Sequence, residues 1–521
     1  MGAELKQKDK FFPRLKQPKQ SSLNEITLFA NISAQNLNKK VYFLNPNDNL
    51  NFPELDKMNS ILYINNKPKI FSNYFIPITK GIYKIKIKFE KKLTTCKCMF
   101  YGCKNITNIS FSSLNTKNIL DMGYMFYGCE NLTKIDISNF NTENVRNMEY
   151  MFSGCSSLKE MDLSFFNTLN VNNMENMFSG CCSLTELNLS SFKTKNVKNM
   201  NKMFCDCANL NRIKYFSLDT ENVQNMEYMF SGCQSLVNID LSLFNTMKVI
   251  NMRYMFNDCK NLNRLDLSSF DTGKVVNIDN MFRNCRNLTT INLSSFNTKS
   301  VKNMECLFLC CINLTSIDLS NFNTRSVDNM RYMFYGCKNL MELNLSSFDT
   351  QSVSNMEYLF YDCCNLSYID LSSFNTERVT NMGYMFSGCR NLVEIDLSSF
   401  GTKNVLDMSF MFDNCRMLKK IDLSSFYAPN VIELDYMFSD CKNVSEIDMS
   451  SFKLKNLANV DYIFNEQNLS KDDISSLNNK KINTIEKIFK GCYNLKRIKL
   501  DKKSYHYLKE IVPSSINIII Q

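Results

Sequence analysis

Apolar residues in this chain recur in blocks. Within residues 144–169, Val145, Met148, Met151, Phe152 and Cys155 follow one another at steps of three and four, which predicts a short helical segment of about two turns. Leu158, Met161, Leu163 and Phe166 come next, in the spacing of a short strand that runs into a turn. The block then repeats. Cys103, Cys129, Cys155, Cys181, Cys207, Cys233, Cys259, Cys285, Cys311, Cys337, Cys363, Cys389, Cys415 and Cys441 are spaced by 26 residues without insertion or deletion. After Cys441 the register fails, and Ile488, Phe489, Gly491, Cys492 and Leu495 echo the motif once more. One block cannot bury both faces of its apolar set, so neighbours must stack, giving roughly 60 Å of sheet at a strand spacing of about 4.8 Å. The fold class expected is an α/β repeat, a solenoid with one short strand and one short helical segment per coil.

Polar positions repeat as strictly. The residue before the ladder cysteine is Gly at 102, 128, 154, 180, 232, 336, 388 and 491, Asp at 206, 258, 362 and 440, and Asn at 284 and 414, with Cys310 departing from the pattern. These types best tolerate the left-handed conformation that ends a helix. Two residues after the cysteine stands Asn (105, 131, 209, 261, 287, 313, 339, 365, 391, 443) or Ser (157, 183, 235), read as a buried column satisfying backbone groups at the bend. Thr142, Thr168, Thr194 and their repeats as far as Thr402 stand where a hydroxyl would cap the helical segment. Tyr at 124, 150, 228, 254, 332, 358, 384, 436 and 462 forms a half-exposed column, read as packing between coils with a contact surface as the alternative.

Residues 21–94 precede the repeats. Alternation in 26–32, 41–44, 61–64 and 82–89, with breaks at Asn45-Pro46-Asn47 and Lys80-Gly81, predicts a small β-rich unit. An open solenoid end exposes apolar core and a strand edge, so this unit is expected to cap the first repeat. The organisation expected is a flexible basic tail at 1–20, this cap at 21–94, a solenoid of about 14 units at 95–469, and a degenerate repeat with a C-terminal cap at 470–521.

Residues 148–164 read M-E-Y-M-F-S-G-C-S-S-L-K-E-M-D-L-S, and 381–402 read N-M-G-Y-M-F-S-G-C-R-N-L-V-E-I-D-L-S-S-F-G-T. This M-x-x-M-F-x-x-C signature resembles the BspA-like leucine-rich repeats, and the resemblance runs through residues 95–455. It implies a leucine-rich-repeat solenoid, a ligand-binding or adhesion surface with no catalytic residues to transfer. Members of that family occur on bacterial surfaces and in unicellular eukaryotes. The N-terminal residues read as neither a secretory signal nor a lipid anchor, which sets this chain apart from the surface members.

Composition narrows the chemistry. The 521 residues include no Trp, 22 Cys and 30 Met, are 44% hydrophobic and only 21% charged, which suits a large core and not a disordered polyelectrolyte. The lone His506 removes most imidazole-based hydrolase and metal chemistry. Phosphate-binding and dinucleotide glycine loops, zinc-protease and nucleophile-elbow motifs are missing, so no catalytic residue, no cofactor and no enzyme are expected. The net charge of +10 resolves into 6 − 2 = +4 in residues 1–20 and 11 − 5 = +6 in 471–521, leaving 21–470 neutral. A nucleic-acid partner is therefore not expected, because tracking phosphates needs basic residues along the folded face. No apolar stretch is long enough for a transmembrane segment. The ladder cysteines stand where a small apolar side chain closes a core and are poorly spaced for systematic disulfides, which argues for a reducing compartment. Cys96-x-Cys98 with Cys103 lacks the second pair or His that a zinc site needs, so no metal is expected.

The strand segment sends alternate side chains away from the core. One outward position holds Asp136, Asp162, Asp240, Asp266, Asp318, Asp370, Asp396, Asp422 and Asp448, with Asn188, Asn292 and Asn344 as neutral substitutes and Lys214 as the reversal. Such a row calls for hydrogen bonds, cations or a basic partner to offset repulsion, unless each Asp caps its own turn. The neighbouring outward position varies through Glu160, Glu186, Arg212, Arg264, Thr290, Glu342, Tyr368, Glu394, Lys420 and Glu446. A constant interior beside variable outward residues predicts an interaction face for a protein partner. The candidate binding residues are Glu160, Asp162, Glu186, Arg212, Lys214, Asp240, Arg264, Asp266, Asp318, Glu342, Tyr368, Asp370, Glu394 and Asp396. The expected function is a non-catalytic, cytoplasmic protein-binding scaffold. The alternatives are a cell-surface adhesion or recognition protein and a structural subunit of a larger assembly. Four sequons, at Asn105, Asn131, Asn287 and Asn313, use the column read as buried, where glycans would obstruct folding in a secretory pathway.

Overall fold

The alternating stretches ahead of the repeats are extended and pair with one another. In chain order the strands are β1 (Asn24–Ile32), β2 (Val41–Tyr42), β3 (Ser60–Ile64), β4 (Lys67–Lys69), β5 (Tyr74–Phe75), β6 (Gly81–Phe89), β7 (Ile106–Ser110) and β8 (Lys134–Asp136). Six of them form one sheet in the order β4-β3-β6-β1-β7-β8. Ile26, Leu28, Ala30 and Ile32 on β1 and Ile85, Ile87 and Phe89 on β6 turn inward and are buried, as a two-residue period requires. β7 and β8 are the strands of the first two coils, so β1, antiparallel to β7, pairs the edge that the first coil presents. At the far edge β4 is Lys-Pro-Lys, all three residues exposed; proline lacks the donor and lysine charge repels another strand.

The computed structural model describes residues 23–46, 54–111, 113–214, 216, 218–452, 488–508, 512 and 514–520. The expected tail at 1–20 and residues 470–487 of the expected C-terminal cap lie outside the described residues, as does Tyr462. The chain divides into two units, Met1–Val171 with Ser191–Lys193, and Asn172–Ser190 with Thr194–Gln521. The same coil recurs in both.

The repeated M-x-x-M-F-x-x-C segment is not helical, against the sequence expectation. In the first unit Met125 N–H donates to Met122 O at 3.3 Å and Cys129 N–H to Phe126 O at 3.1 Å, two successive four-residue turns. Each turn has a left-handed third residue, Tyr124 at φ 57° and Gly128 at φ 68°, as a type II turn demands. The remaining donors reach across: Met122, Tyr124, Phe126 and Gly128 give their N–H groups to Asn147, Glu149, Met151 and Ser153 of the next coil at 2.8–3.0 Å. In the second unit Met226, Tyr228, Phe230 and Gly232 bond Asn251, Arg253, Met255 and Asn257 at the same lengths. A helix would spend these donors internally; a stacked coil spends every second one on its neighbour. Tandem four-residue turns also bring steps of three and four to one side, which is why the spacing imitates a helix. The residue before each ladder cysteine is left-handed in every described coil, Cys310 included at φ 58°, but it closes a turn and does not end a helix. A helix does occur near the C-terminus, at Lys502–Leu508.

The core is columnar. Val145, Met148, Met151, Phe152, Cys155, Leu158 and Leu163 have no exposed surface, and burying each large apolar side chain contributes about 1.5–3 kcal/mol. In the second unit the phenylalanines from Phe178 to Phe438 stack one per coil, rings nearly parallel and centroids 5.4–6.0 Å apart. The ladder cysteine adds a directional bond to its packing role. Its thiol donates to the Phe carbonyl of the preceding coil, as in Cys129 Sγ to Phe100 O at 3.2 Å and Cys259 Sγ to Phe230 O at 3.2 Å. Burial pushes the Cys129 thiol up to about 12, so it stays protonated and can donate.

The threonine column is buried, but it ties coils together and caps no helix. Thr142 Oγ1 donates to Asn167 O at 2.9 Å and accepts from Asn167 N–H at 2.8 Å, and Thr350 does the same with Asn375 at 2.8 and 2.8 Å. The tyrosine column is half-buried and stacked, with Tyr124 and Tyr150 4.6 Å apart and Tyr358 and Tyr384 4.5 Å apart.

Candidate interaction face

The strand half of the coil is short and incomplete. Three-residue parallel pairs join Glu186–Asn188 to Arg212–Lys214, Arg264–Asp266 to Thr290–Asn292, and Glu342–Asn344 to Tyr368–Asp370. The register sets Glu186 beside Arg212, Arg264 beside Thr290, and Glu342 beside Tyr368. Lys214 forms an ion pair with Glu186. Glu160, Asp162, Asp240, Asp318, Glu394 and Asp396 lie on segments outside the named strands. Glu160 and Asp162 belong to the first unit and the other candidates to the second. Glu186, Lys214 and Asp370 are half-buried; the remaining candidates are exposed. From Lys420 onward four parallel strands, Lys420–Asp422, Glu446–Met449, Arg497–Leu500 and Asn517–Ile520, follow in order.

Each Asp of the outward row serves its own turn. Ser164, Ser242, Ser268, Ser320, Ser372 and Ser398 donate their N–H groups to Asp162, Asp240, Asp266, Asp318, Asp370 and Asp396 at 2.9–3.0 Å. The Ser N–H, joined by the Ser hydroxyl, holds the carboxyls of Asp240, Asp266, Asp318 and Asp396 below the usual range. At Asp162 and Asp370 the hydroxyl leads. Asn188, Asn292 and Asn344 accept from Ser190, Ser294 and Ser346 in the same way at 3.0, 3.1 and 2.9 Å, which explains why a neutral amide substitutes freely. The Asp-x-Ser triplet is the sequence signal of this Asx-turn. Asp240 and Asp266 share an open recess of about 230 Å³ with Ser242, Ser268 and Ser269.

The asparagine column lies on the surface, a correction to its reading as buried. Asn131 and Asn287 are exposed and Asn105 and Asn313 half-buried. In the second unit the column forms an amide ladder: the Nδ2 groups of Asn287, Asn313, Asn339, Asn365 and Asn391 each donate to the Oδ1 of the Asn one coil earlier at 3.2–3.5 Å. Its strict one-per-coil spacing was visible in the sequence, but spacing alone does not tell an inward column from an outward one. Asn131 and Asn287 therefore face solvent, and burial no longer counts against a glycan at these two sequons.

A family model described as "Mycoplasma protein of unknown function, DUF285" matches residues 94–216, 213–316, 307–421 and 389–502. No curated protein matches the chain. Among solved structures it is similar to "Structure of the Toll - Spatzle complex, a molecular hub in Drosophila development and innate immunity", with 15% identity over 65% of this chain and 49% of that one and a TM-score of 0.20. It is also similar to "Crystal structure of TLR13-ssRNA13 complex", with 13% identity over 77% of this chain and 88% of that one and a TM-score of 0.16. The chain thus spans about half the length of the first of these, and at such TM-scores neither likeness bears on what it does.

Proposed function

This chain belongs to the DUF285 family, and we propose that it is a non-catalytic protein-binding scaffold, a leucine-rich-repeat solenoid that makes its contacts through the outward strand residues. The observation that carries this reading is the division of labour within each coil. Interior columns are uniform and sealed, the Asp row is held by its own serines, and the exposed neighbours Arg212, Arg264, Glu342, Tyr368 and Glu394 differ from coil to coil. Residues with no structural task and no common identity are where partner specificity can reside. Tyr368, 61% exposed, supplies the aromatic anchor that protein interfaces favour. The test is recovery of bound protein from native lysate by the wild type and by Arg264→Ala, Glu342→Ala and Tyr368→Ala. Arg264→Ala should leave stability within about 0.5 kcal/mol while weakening capture of the partner. The same protein bound undiminished by all three variants would overturn the reading.

We place the scaffold in a reducing, cytoplasmic setting, supported by free thiols whose burial in the ladder keeps them protonated. Among the described residues no helix is long and apolar enough to cross a membrane. The surface position of the sequon asparagines favours the second reading, a cell-surface recognition protein. Mass spectrometry of the native protein separates the two, since glycans at Asn131 or Asn287, or oxidised ladder cysteines, belong only to the second.

A further inference from the structure

The N-terminal sheet is polarised along its strands. β1 and β6 pair from Asn24 opposite Phe89 to Ile32 opposite Gly81, which sets the two ends roughly 27 Å apart at about 3.4 Å per residue. Glu25, Glu54, Asp56 and Glu90, the carboxylates among the described residues of 23–94, gather toward the Phe89 end. Glu25 is paired there with Lys86 at 2.7 Å and Lys88 at 3.2 Å, and Glu54 with Lys91 at 2.8 Å. Residues 26–46 and 57–89, among which the Gly81 end lies, contain no Asp or Glu, and that end exposes Lys39, Lys40 and Lys80. On the coils beyond, Asn105 O accepts from Asn31 N–H at 2.9 Å, and the neighbouring Glu130 is paired with Lys104 at 2.7 Å.

The same end exposes three isoleucines within seven residues: Ile76 at 54%, Ile78 at 79% and Ile82 at 69%. They are held out by a clamped loop. Phe75, Pro77 and Tyr83 point inward, and the Phe75 and Tyr83 rings lie 5.0 Å apart. The Tyr83 hydroxyl accepts from Thr79 N–H at 3.2 Å, donates to Thr79 O at 3.1 Å and lies 2.8 Å from the Thr79 hydroxyl. Asn38 N–H donates to Pro77 O at 2.9 Å, and Lys40 Nζ sits 4.6 Å from the centre of the Tyr74 ring. Ile76 and Ile78 alternate with the anchoring residues, so the turn that buries Phe75 and Pro77 also thrusts the isoleucines into solvent. Met58 and Ile70 are exposed too, but singly and toward the carboxylate-bearing end.

We propose that this end of the sheet docks on an anionic lipid surface, with Ile76, Ile78 and Ile82 entering the acyl boundary and Lys39, Lys40 and Lys80 meeting the headgroups. Protruding apolar side chains beside exposed lysines, with no carboxylate among the described sheet residues at this end to repel a negative layer, combine the two attractions that hold proteins at an anionic bilayer. The clamp leaves little ordering to be done on contact. The site is separate from the strand-face contacts and stands whether or not those bind protein.

The experiment uses the full chain and vesicles of phosphatidylcholine, alone or mixed with phosphatidylglycerol. Because the chain has no Trp, Ile78→Trp introduces a single reporter at the loop. The chain should sediment with the mixed vesicles and not with phosphatidylcholine alone, and the I78W emission should shift to the blue on binding. Ile78→Ser should lower partitioning about tenfold, and alanine at Lys39, Lys40 or Lys80 about fivefold each, less at high salt. Absence of sedimentation with the mixed vesicles would overturn the proposal. Sedimentation without an I78W shift would also overturn it, by assigning adsorption to another basic segment such as residues 1–20. Binding to polyglutamate with the same lysine dependence and no lipid-induced shift would overturn it in favour of an acidic protein.

Discussion

The two sides of each coil meet the demand for backbone hydrogen bonds differently. On the turn side, alternate N–H groups of Met226, Tyr228, Phe230 and Gly232 run to the next coil, while Met226, Met229, Phe230 and Cys233 beneath them have no exposed surface. On the strand side the ladder shrinks to three residues, as at Arg264–Asp266, or is missing, as around Asp240 and Asp318, and the Asp-x-Ser turn satisfies its own N–H. The side that binds its neighbour most closely is the one whose residues repeat. The side that depends least on its neighbour is free to vary, and that freedom makes it the candidate for recognition.

Met229→Asp should show the difference most strongly. A carboxylate at this position, which has no exposed surface, is cut off from water, and an unpaired buried charge costs more than about 4 kcal/mol. Circular dichroism during heating should lose the wild-type transition, and a variant melting with the wild type would break the comparison. Gly232→Ala tests the turn itself and should cost less. Gly232 has φ 75°, and an added Cβ would lie 2.3 Å from Asp206 Oδ1 and 3.1 Å from Asp206 Cα. A left-handed alanine costs about 1–2 kcal/mol, and the displacement of Asp206 adds to it. Gly102→Ala, with φ 66° and its closest contact at 3.8 Å to Pro46 Cγ, should carry the conformational cost alone. Equal melting temperatures for the two glycine variants would show that coil-to-coil approach at this column is not tight.

Much of this was legible in the sequence, and the misreadings share a cause. The 26-residue spacing locates the buried columns because the Phe and Cys of M-F-x-x-C hold theirs in every coil and the Val, Met and Leu columns accept almost only another aliphatic residue, as at Ile278 and Leu307. The four alternating stretches before the repeats correspond to β1, β2, β3 and β6 because a two-residue period has one simple geometric source. Steps of three and four have two sources, a helix or tandem turns, and periodicity cannot separate them. Gly, Asp or Asn before every ladder cysteine but Cys311 was the available clue, but tyrosine carries no such signal. Tyr124, Tyr150, Tyr228 and Tyr254 are left-handed at φ 53–57°, a conformation that bulky residues avoid unless their surroundings enforce it. The coil-to-coil bonds of Tyr124 and Tyr228 do so, and such bonds belong to the stack and not to the segment. The asparagine ladder failed for the same reason, since its partners lie one coil away. Of the candidate face, the Asp row was legible down to the alternative that each Asp caps its own turn, because Asp-x-Ser is a local motif.

The smallest effects are expected on that row, and acid brings them out. Asp266→Asn keeps an acceptor for Ser268 N–H, as Asn188, Asn292 and Asn344 already do for their serines, so its stability at neutral pH should stay within about 0.5 kcal/mol of wild type. Asp266→Ala removes the acceptor, and the loss of one exposed turn bond should cost about 0.5–1.5 kcal/mol. The carboxyls of Asp240, Asp266 and Asp318 lie below their ordinary value of 3.8 in the folded chain because the serine donors favour the charged form. A depressed carboxyl stabilises the fold at pH values above its unfolded value and loses that contribution as pH falls through the folded one. The wild type should therefore lose melting temperature as pH is lowered below about 4. A chain with Asn at all three positions should lose less over the same interval while matching the wild type at neutral pH, since an amide has no proton to gain. An acid limb unchanged by the three substitutions would mean that the Asp-x-Ser turns contribute nothing to stability, and the strand side would then be held by its neighbours after all.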